Sequence, residues 1–248
     1  MPRIHQGGGE HKAGRDEVRL ALALRHYTHP FLSPLESCRN MVLRRRTTTT
    51  TYSLKPFLDH QAIFVHIPKC AGVSVCLALF GNLAGGHRTI REYAAIFSPR
   101  EFRKFFKFTV VRNPWDRLVS AFLFLKRGGM NEDDRRWAER HIARFNDFPA
   151  FVSGWLSPEN ARTYHHFRPQ FDYLTLDGQN LSVGYVARLE TLGKDFGVIS
   201  DKLGLRARLD RKNVNRAKRP YREYYDEPSK RIVADVYAKD VEAFGYEF

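Results

Sequence analysis

The strongest constraint on this chain is a local grammar that it uses twice. A short apolar run, Ala62-Ile63-Phe64-Val65-His66-Ile67, stops at Pro68 and passes through a tight segment holding Gly72. It then enters Ser74-Val75-Cys76-Leu77-Ala78-Leu79-Phe80. The first run is β-branched and bounded by turn residues, so it reads as a buried strand, and the segment from Ser74 reads as the start of a helix. The order returns at Phe108-Thr109-Val110-Val111, which runs into Arg112-Asn113-Pro114. Asn113 suits an N-cap and Pro114 the first helical position, and Trp115, Leu118, Val119 and Phe122 follow at helical spacing. Two strand–loop–helix units imply an α/β fold with a parallel sheet. A third strand is expected at 183–187 and a C-terminal helix over 228–244, with helices and loops across 130–170.

Residues 1–60 differ from the rest. They hold a Gly7-Gly8-Gly9 run, Arg44-Arg45-Arg46 and a threonine tract, Thr47 to Thr51, and keep no helix or strand period beyond a short stretch at 15–25. They read as a poorly ordered basic arm before a domain over 61–248. The net charge of +14 implies a polyanionic partner, whether nucleic acid, membrane surface, acidic glycan or a phosphate-bearing cofactor. No zinc-finger, helix-turn-helix or RRM signature is present, so specific nucleic-acid binding is not expected. The 3 cysteines, Cys38, Cys70 and Cys76, form neither a disulfide framework nor a zinc pattern, and no metal is expected. No export signal or membrane span is legible, so the reading is cytoplasmic, with the basic arm leaving peripheral membrane association open.

Ligands of an open parallel sheet bind beyond the carboxyl ends of its strands. Both strand ends carry a cation, Lys69 and Arg112, and each precedes a helix start, where free backbone N–H groups favour anions. A ligand with two separate anionic groups fits that arrangement. The loop is not an ordinary nucleotide P-loop, because its lysine comes early and its first glycine is missing; G-x-G-x-x-G is absent too.

The segment His66-Ile67-Pro68-Lys69-Cys70-Ala71-Gly72-Val73-Ser74 resembles the HIPKTGGTS-type loop of the carbohydrate sulfotransferases, and the stretch from Phe108 through Phe122 resembles that family's 3′-phosphate motif. Tyr164 to Gln170 is similar to the family's His–Arg–Pro–Gln stretch, and the likeness extends over 62–248. The resemblance implies a three-layer α/β sandwich related to P-loop kinases, with 3′-phosphoadenosine 5′-phosphosulfate (PAPS) as donor and a glycan or glycolipid hydroxyl as acceptor. It implies that Pro68, Lys69, Cys70, Ala71, Gly72, Val73 and Ser74 hold the phosphosulfate and that Arg112 and Ser120 hold the 3′-phosphate. Arg188 is a further candidate for the nucleotide site, and His165, His166, Arg168 and Gln170 for the acceptor. Lys69 is the candidate charge stabiliser. His87 is the first candidate base, with His165 and His166 as alternatives and His66 read as structural.

Cys70, Ala71 and Val73 depart from the family loop, and Ala71 calls for a backbone without positive φ. The departures keep open a relative that binds donor without turnover. A polyanion or nucleic-acid binder without catalysis is the other alternative. The basic stretch 201–219 reads equally as anion-attracting or as solvated surface.

Overall fold

The computed structural model describes residues 53–209 and 219–248. Most of the expected basic arm, the stretch at 15–25 and the middle of the basic stretch 201–219 lie outside the described residues. Helix α1 (Lys55–Asp59) buries Phe57 and leads into β1 (Ala62–Val65), whose four residues are all buried. Strand β2 (Phe106–Val111) lies between β1 and β3 (Tyr185–Arg188), and both pairings are parallel. Val65 sits opposite Thr109, and Val111 opposite Arg188, so all three strands end on one side of the sheet. The Thr109 hydroxyl donates to the Val65 carbonyl at 2.8 Å, and the Phe64 and Phe108 rings stack at 5.0 Å. The result is a mixed α/β fold around a three-stranded parallel sheet.

The two loop–helix junctions follow different local rules. After β2, Asn113 caps α5 (Pro114–Lys126) through its side chain, accepting from the Trp115 amide at 3.1 Å, with Pro114 at the first position. After β1, helix α2 (Gly72–Phe80) starts earlier than the expected Ser74, behind a left-handed Ala71, and no side chain caps it. Between α2 and β2 lie α3 (Ile90–Ile96) and α4 (Pro99–Lys104), each opened by a capping box, Thr89 with Glu92 and Ser98 with Glu101. The charged and aromatic middle forms α6 (Glu132–His141), α7 (Phe148–Trp155), α8 (Pro158–Thr163) and α9 (Gln170–Leu174). Helix α10 (Leu192–Lys202) follows β3.

Two expectations are corrected. The third strand pairs over Tyr185–Arg188 rather than 183–187, because Ser182 is bonded back to Leu174 and only the Gly184 amide reaches the β2 edge, at Lys107. The C-terminal helix is two helices, α11 (Glu227–Val236) and α12 (Ala238–Phe244), broken at Tyr237. Helical spacing persists through the break, so sequence periodicity does not register it. The break lets the buried Tyr237 hydroxyl donate to the Phe167 carbonyl at 2.8 Å. It also places the buried Asp240 carboxylate where it accepts the Gln170 and Phe171 amides at 2.8 and 2.7 Å, capping α9 from across the fold. Among the described residues no helix is long and apolar enough to cross a membrane.

Asp240→Ala leaves two buried amides of α9 without acceptors. Each such orphan costs about 1–3 kcal/mol, so the variant is expected to lose at least about 2 kcal/mol of stability, read as a lower urea midpoint at unchanged slope. An unchanged midpoint would show that water or another group takes over the cap.

Candidate active site

The loop after β1 is held from below by buried polar groups. Gln170, with no exposure, accepts the Arg112 amide at 2.9 Å and returns its own side-chain N–H to the Arg112 carbonyl at 2.8 Å. The same side-chain oxygen accepts the Cys70 thiol at 3.4 Å. Arg117 is also buried, and donates to the Pro68 carbonyl at 3.0 Å and to the His166 carbonyl at 3.2 Å. Arg112 donates to the Lys69 carbonyl at 3.1 Å. The loops after β1 and β2 are therefore one unit, tied to the segment around His166.

Three sequence expectations change accordingly. Gln170 is a brace between loops rather than an acceptor-facing side chain. Cys70 points into the core, where burial pushes its thiol up to about 12, so only its backbone is left to serve a ligand. Ala71 takes φ 59°, a left-handed backbone rather than an unstrained one, and Lys69 takes φ 68°. Gly72 is needed for space instead: a Cβ there would lie 1.8 Å from the His66 ring. No side chain caps the N-terminus of α2, and a helix start whose first amides lack a cap favours an anion.

Beyond β2, Arg112 and Ser120 line one cavity of about 270 Å3, together with Asp116, Leu123, Arg219 and Tyr221. The Arg112 guanidinium is gripped there by the Asp116 carboxylate at 2.7 Å and 2.8 Å. Arg188 is not in this cavity. Its guanidinium donates to the Phe244 carbonyl and lies 4.8 Å over the Tyr246 ring, so it clamps the C-terminal segment.

Near Lys69 is a histidine cluster. The His66 and His87 rings are 4.2 Å apart, His87 and His165 5.3 Å, and His165 and His166 4.1 Å. His87 places Nδ1 3.1 Å from the His66 carbonyl, which selects the tautomer with Nε2 as acceptor. The Lys69 ammonium lies 3.7 Å from the centre of the Phe124 ring, itself packed on His166.

Burial dominates the lowering of His66 and His166 below the ordinary histidine value, and brings His87 and His165 down to about 4. Asp134 was missed by the sequence reading. It pairs with His166 at 3.3 Å and accepts the Tyr164 hydroxyl and the Met130 amide. Burial pushes its carboxyl up, and these hydrogen bonds outweigh that to hold it well below the usual range. Asp134, His165 and His166 bring ligand atoms within 4.8 Å of one another, close enough to share a cation.

The sulfotransferase family model matches residues 57–247. The chain belongs to the sulfotransferase family. No curated protein and no solved structure gives a significant match. The match runs through both cationic loops, the histidine cluster and the C-terminal clamp of this sulfotransferase.

Arg117, Asp134 and Phe124 carried no sequence signal. Each acts on residues remote in sequence, as when Arg117 reaches Pro68 and His166. Arg219 lay in the basic stretch, where charge alone could not separate it from solvated neighbours.

Two outcomes follow from this geometry. Ala71→Gly removes left-handed strain of about 1–2 kcal/mol and adds glycine's unfolded-state entropy, so it is expected to raise stability by up to about 1 kcal/mol in a urea titration; a loss would contradict the strain. The histidines make the fold acid-sensitive. From pH 6.5 down to about 4 the unfolded chain takes up protons that the folded histidines refuse, so stability falls as pH falls. Asp240, raised to about 6 by burial, works the other way over part of that range but is one group against several. The melting temperature should drop between pH 7 and pH 4.5, and a flat profile would refute the neutral cluster.

Proposed function

We propose that this sulfotransferase moves a sulfuryl group from PAPS to a hydroxyl of a carbohydrate acceptor, within a three-layer domain over 61–248. The observation that carries the reading is the joining of two anion-favouring places. Arg112 lines a cavity with Ser120 and at the same time bonds the Lys69 carbonyl. One ligand with a 3′-phosphate in the cavity and a 5′-phosphosulfate on the loop would span both. Ser120 and Arg219 supply further donors in that cavity. Asp116 must give up part of its hold on Arg112 when a phosphate arrives.

The residues of this chain then divide the work. The amides of Gly72, Val73 and Ser74 at the start of α2 hold the phosphosulfate, and Lys69 neutralises charge growing on the bridging oxygen as the S–O bond to the phosphate breaks. A new S–O bond forms from the acceptor oxygen, and His87 Nε2 takes the hydroxyl proton. The His66 carbonyl keeps the other nitrogen protonated, so the base is held in one tautomer. The reading needs no metal, because positioning and charge stabilisation supply the chemistry. A glycan or glycolipid acceptor approaches from the histidine side.

The test is calorimetric titration with 3′-phosphoadenosine 5′-phosphate, the stable by-product. Wild type is expected to bind at moderate salt, and Arg112→Ala to lose about tenfold or more. With an acceptor in hand, Lys69→Ala should cost about 10²–10³ in kcat, and His87→Ala should lower kcat as well. Absence of by-product binding by wild type would overturn the reading and leave a polyanion binder. Binding without turnover on any glycan would leave an inactive relative.

A further inference from the structure

Asp134 is a carboxylate with 3% exposure, and among the described residues no arginine or lysine side chain pairs with it. A buried charge without a cationic partner is costly. Its neighbours are the Tyr164 hydroxyl, the Met130 amide at 2.9 Å, and His166, whose Nε2 lies 3.3 Å from Oδ1. That last separation is long for an N–H···O hydrogen bond, which favours about 2.9–3.0 Å. His166 is buried too, and its Nδ1 has no hydrogen-bond partner among the described residues. The half-buried His165 completes the group. One ligand atom from each of the three residues lies within 4.8 Å of the other two.

Spacing and donor type select the ion that fits. Bonds of about 2.0–2.2 Å to imidazole nitrogen and carboxylate oxygen put ligand atoms about 3.4 Å apart around a tetrahedral ion, and about 3.0 Å apart around an octahedral one. The 3.3 Å between His166 Nε2 and Asp134 Oδ1 matches the tetrahedral edge. Two imidazoles with one carboxylate suit Zn2+, whereas Mg2+ and Ca2+ take oxygen ligands. Each ligand is also held from behind. Tyr164 and Met130 fix the carboxylate, the Tyr173 hydroxyl donates to the His165 carbonyl at 2.8 Å, and Arg117 donates to the His166 carbonyl at 3.2 Å. Such supporting bonds orient the ligands before an ion arrives. Rotation of the His165 ring, the least buried of the three, closes the remaining gap.

We infer that Asp134, His165 and His166 form a binding site for one Zn2+ ion, with the fourth position left to water or another oxygen. The ion takes the place of the proton between His166 Nε2 and Asp134 Oδ1, and the partnerless Nδ1 receives that proton. It supplies the positive charge that the buried carboxylate lacks. No cysteine takes part. No step of the proposed sulfuryl transfer runs through the ion, so the site stands apart from that reading, although the His165 and His87 rings are only 5.3 Å apart.

The experiment strips the full chain of metal with a chelator and titrates it with Zn2+ against a chromophoric competitor. Co2+ is used in parallel as a spectroscopic probe. Wild type is expected to bind Zn2+ at micromolar concentration or tighter, and Co2+ with the intense visible absorption of a tetrahedral ion and no sulfur-to-cobalt charge-transfer band. Asp134→Asn and His165→Gln should each weaken binding by about tenfold or more. His165 is half-buried, so its variant keeps the test decisive where Asp134→Asn fails to fold. His60→Gln, at the end of α1 and outside the cluster, should bind as wild type does. Millimolar Mg2+ should not displace the zinc. Lack of micromolar binding, or a zinc affinity that survives His165→Gln, overturns the inference. A thiolate band in the Co2+ spectrum places the ion on a cysteine and overturns it too, as does displacement by Mg2+. Zinc binding that holds in a chain unable to bind 3′-phosphoadenosine 5′-phosphate sinks the transferase reading and keeps the metal site.

Discussion

The side-chain amide of Gln170 is the interaction on which the rest of the site depends. It pairs with both backbone groups of Arg112 as a neighbouring strand would, and takes the Cys70 thiol as well. Its own backbone amide is capped by Asp240. One buried residue therefore ties together the loop after β1, the loop after β2 and the C-terminal helix α12. A buried amide bonded at both its oxygen and its nitrogen is rigid, whereas one lost partner leaves an orphan in a dry environment. The geometry of Lys69 and Arg112 relative to each other follows from that clasp.

Around it the fold holds several cations at close range, and each is managed differently. Arg112 is balanced by Asp116, Arg117 is solvated by carbonyls, and Lys69 lies against the Phe124 ring. The histidines beside them stay neutral through burial, which avoids adding further positive charge. Left-handed backbone at Lys69 and Ala71 is stored strain in the same few residues. The loop can carry it because Gln170, Arg117 and Arg112 bond it from three sides.

The sequence made the scaffold of the site legible where signals are local. The strand before Pro68, the cap at Asn113 and the cations after both strands lie where spacing and residue type put them. The resemblance added the expectation that Arg112 and Ser120 belong together, and they line one cavity. Misreadings fall where a side chain's direction matters. Gln170 and Arg188 sit in stretches that resemble ligand-binding motifs, yet one braces two loops and the other holds the C-terminal segment. Ala71 shows the converse: its identity argued for ordinary backbone, and the loop closure imposed φ 59° on it.

The sequence by itself determined the order of strands and helices, the parallel sheet and the cations at its edge. These depend on periodicity, caps and turn residues within a few positions of each other. Tertiary structure alone decided that four neutral histidines gather around the Asp134 carboxylate and that the helical pattern over 228–244 breaks at Tyr237. Those outcomes depend on groups remote in sequence, such as Gln170 and Asp240, seventy positions apart. Only packing, which settles which buried donor meets which acceptor, could bring them together.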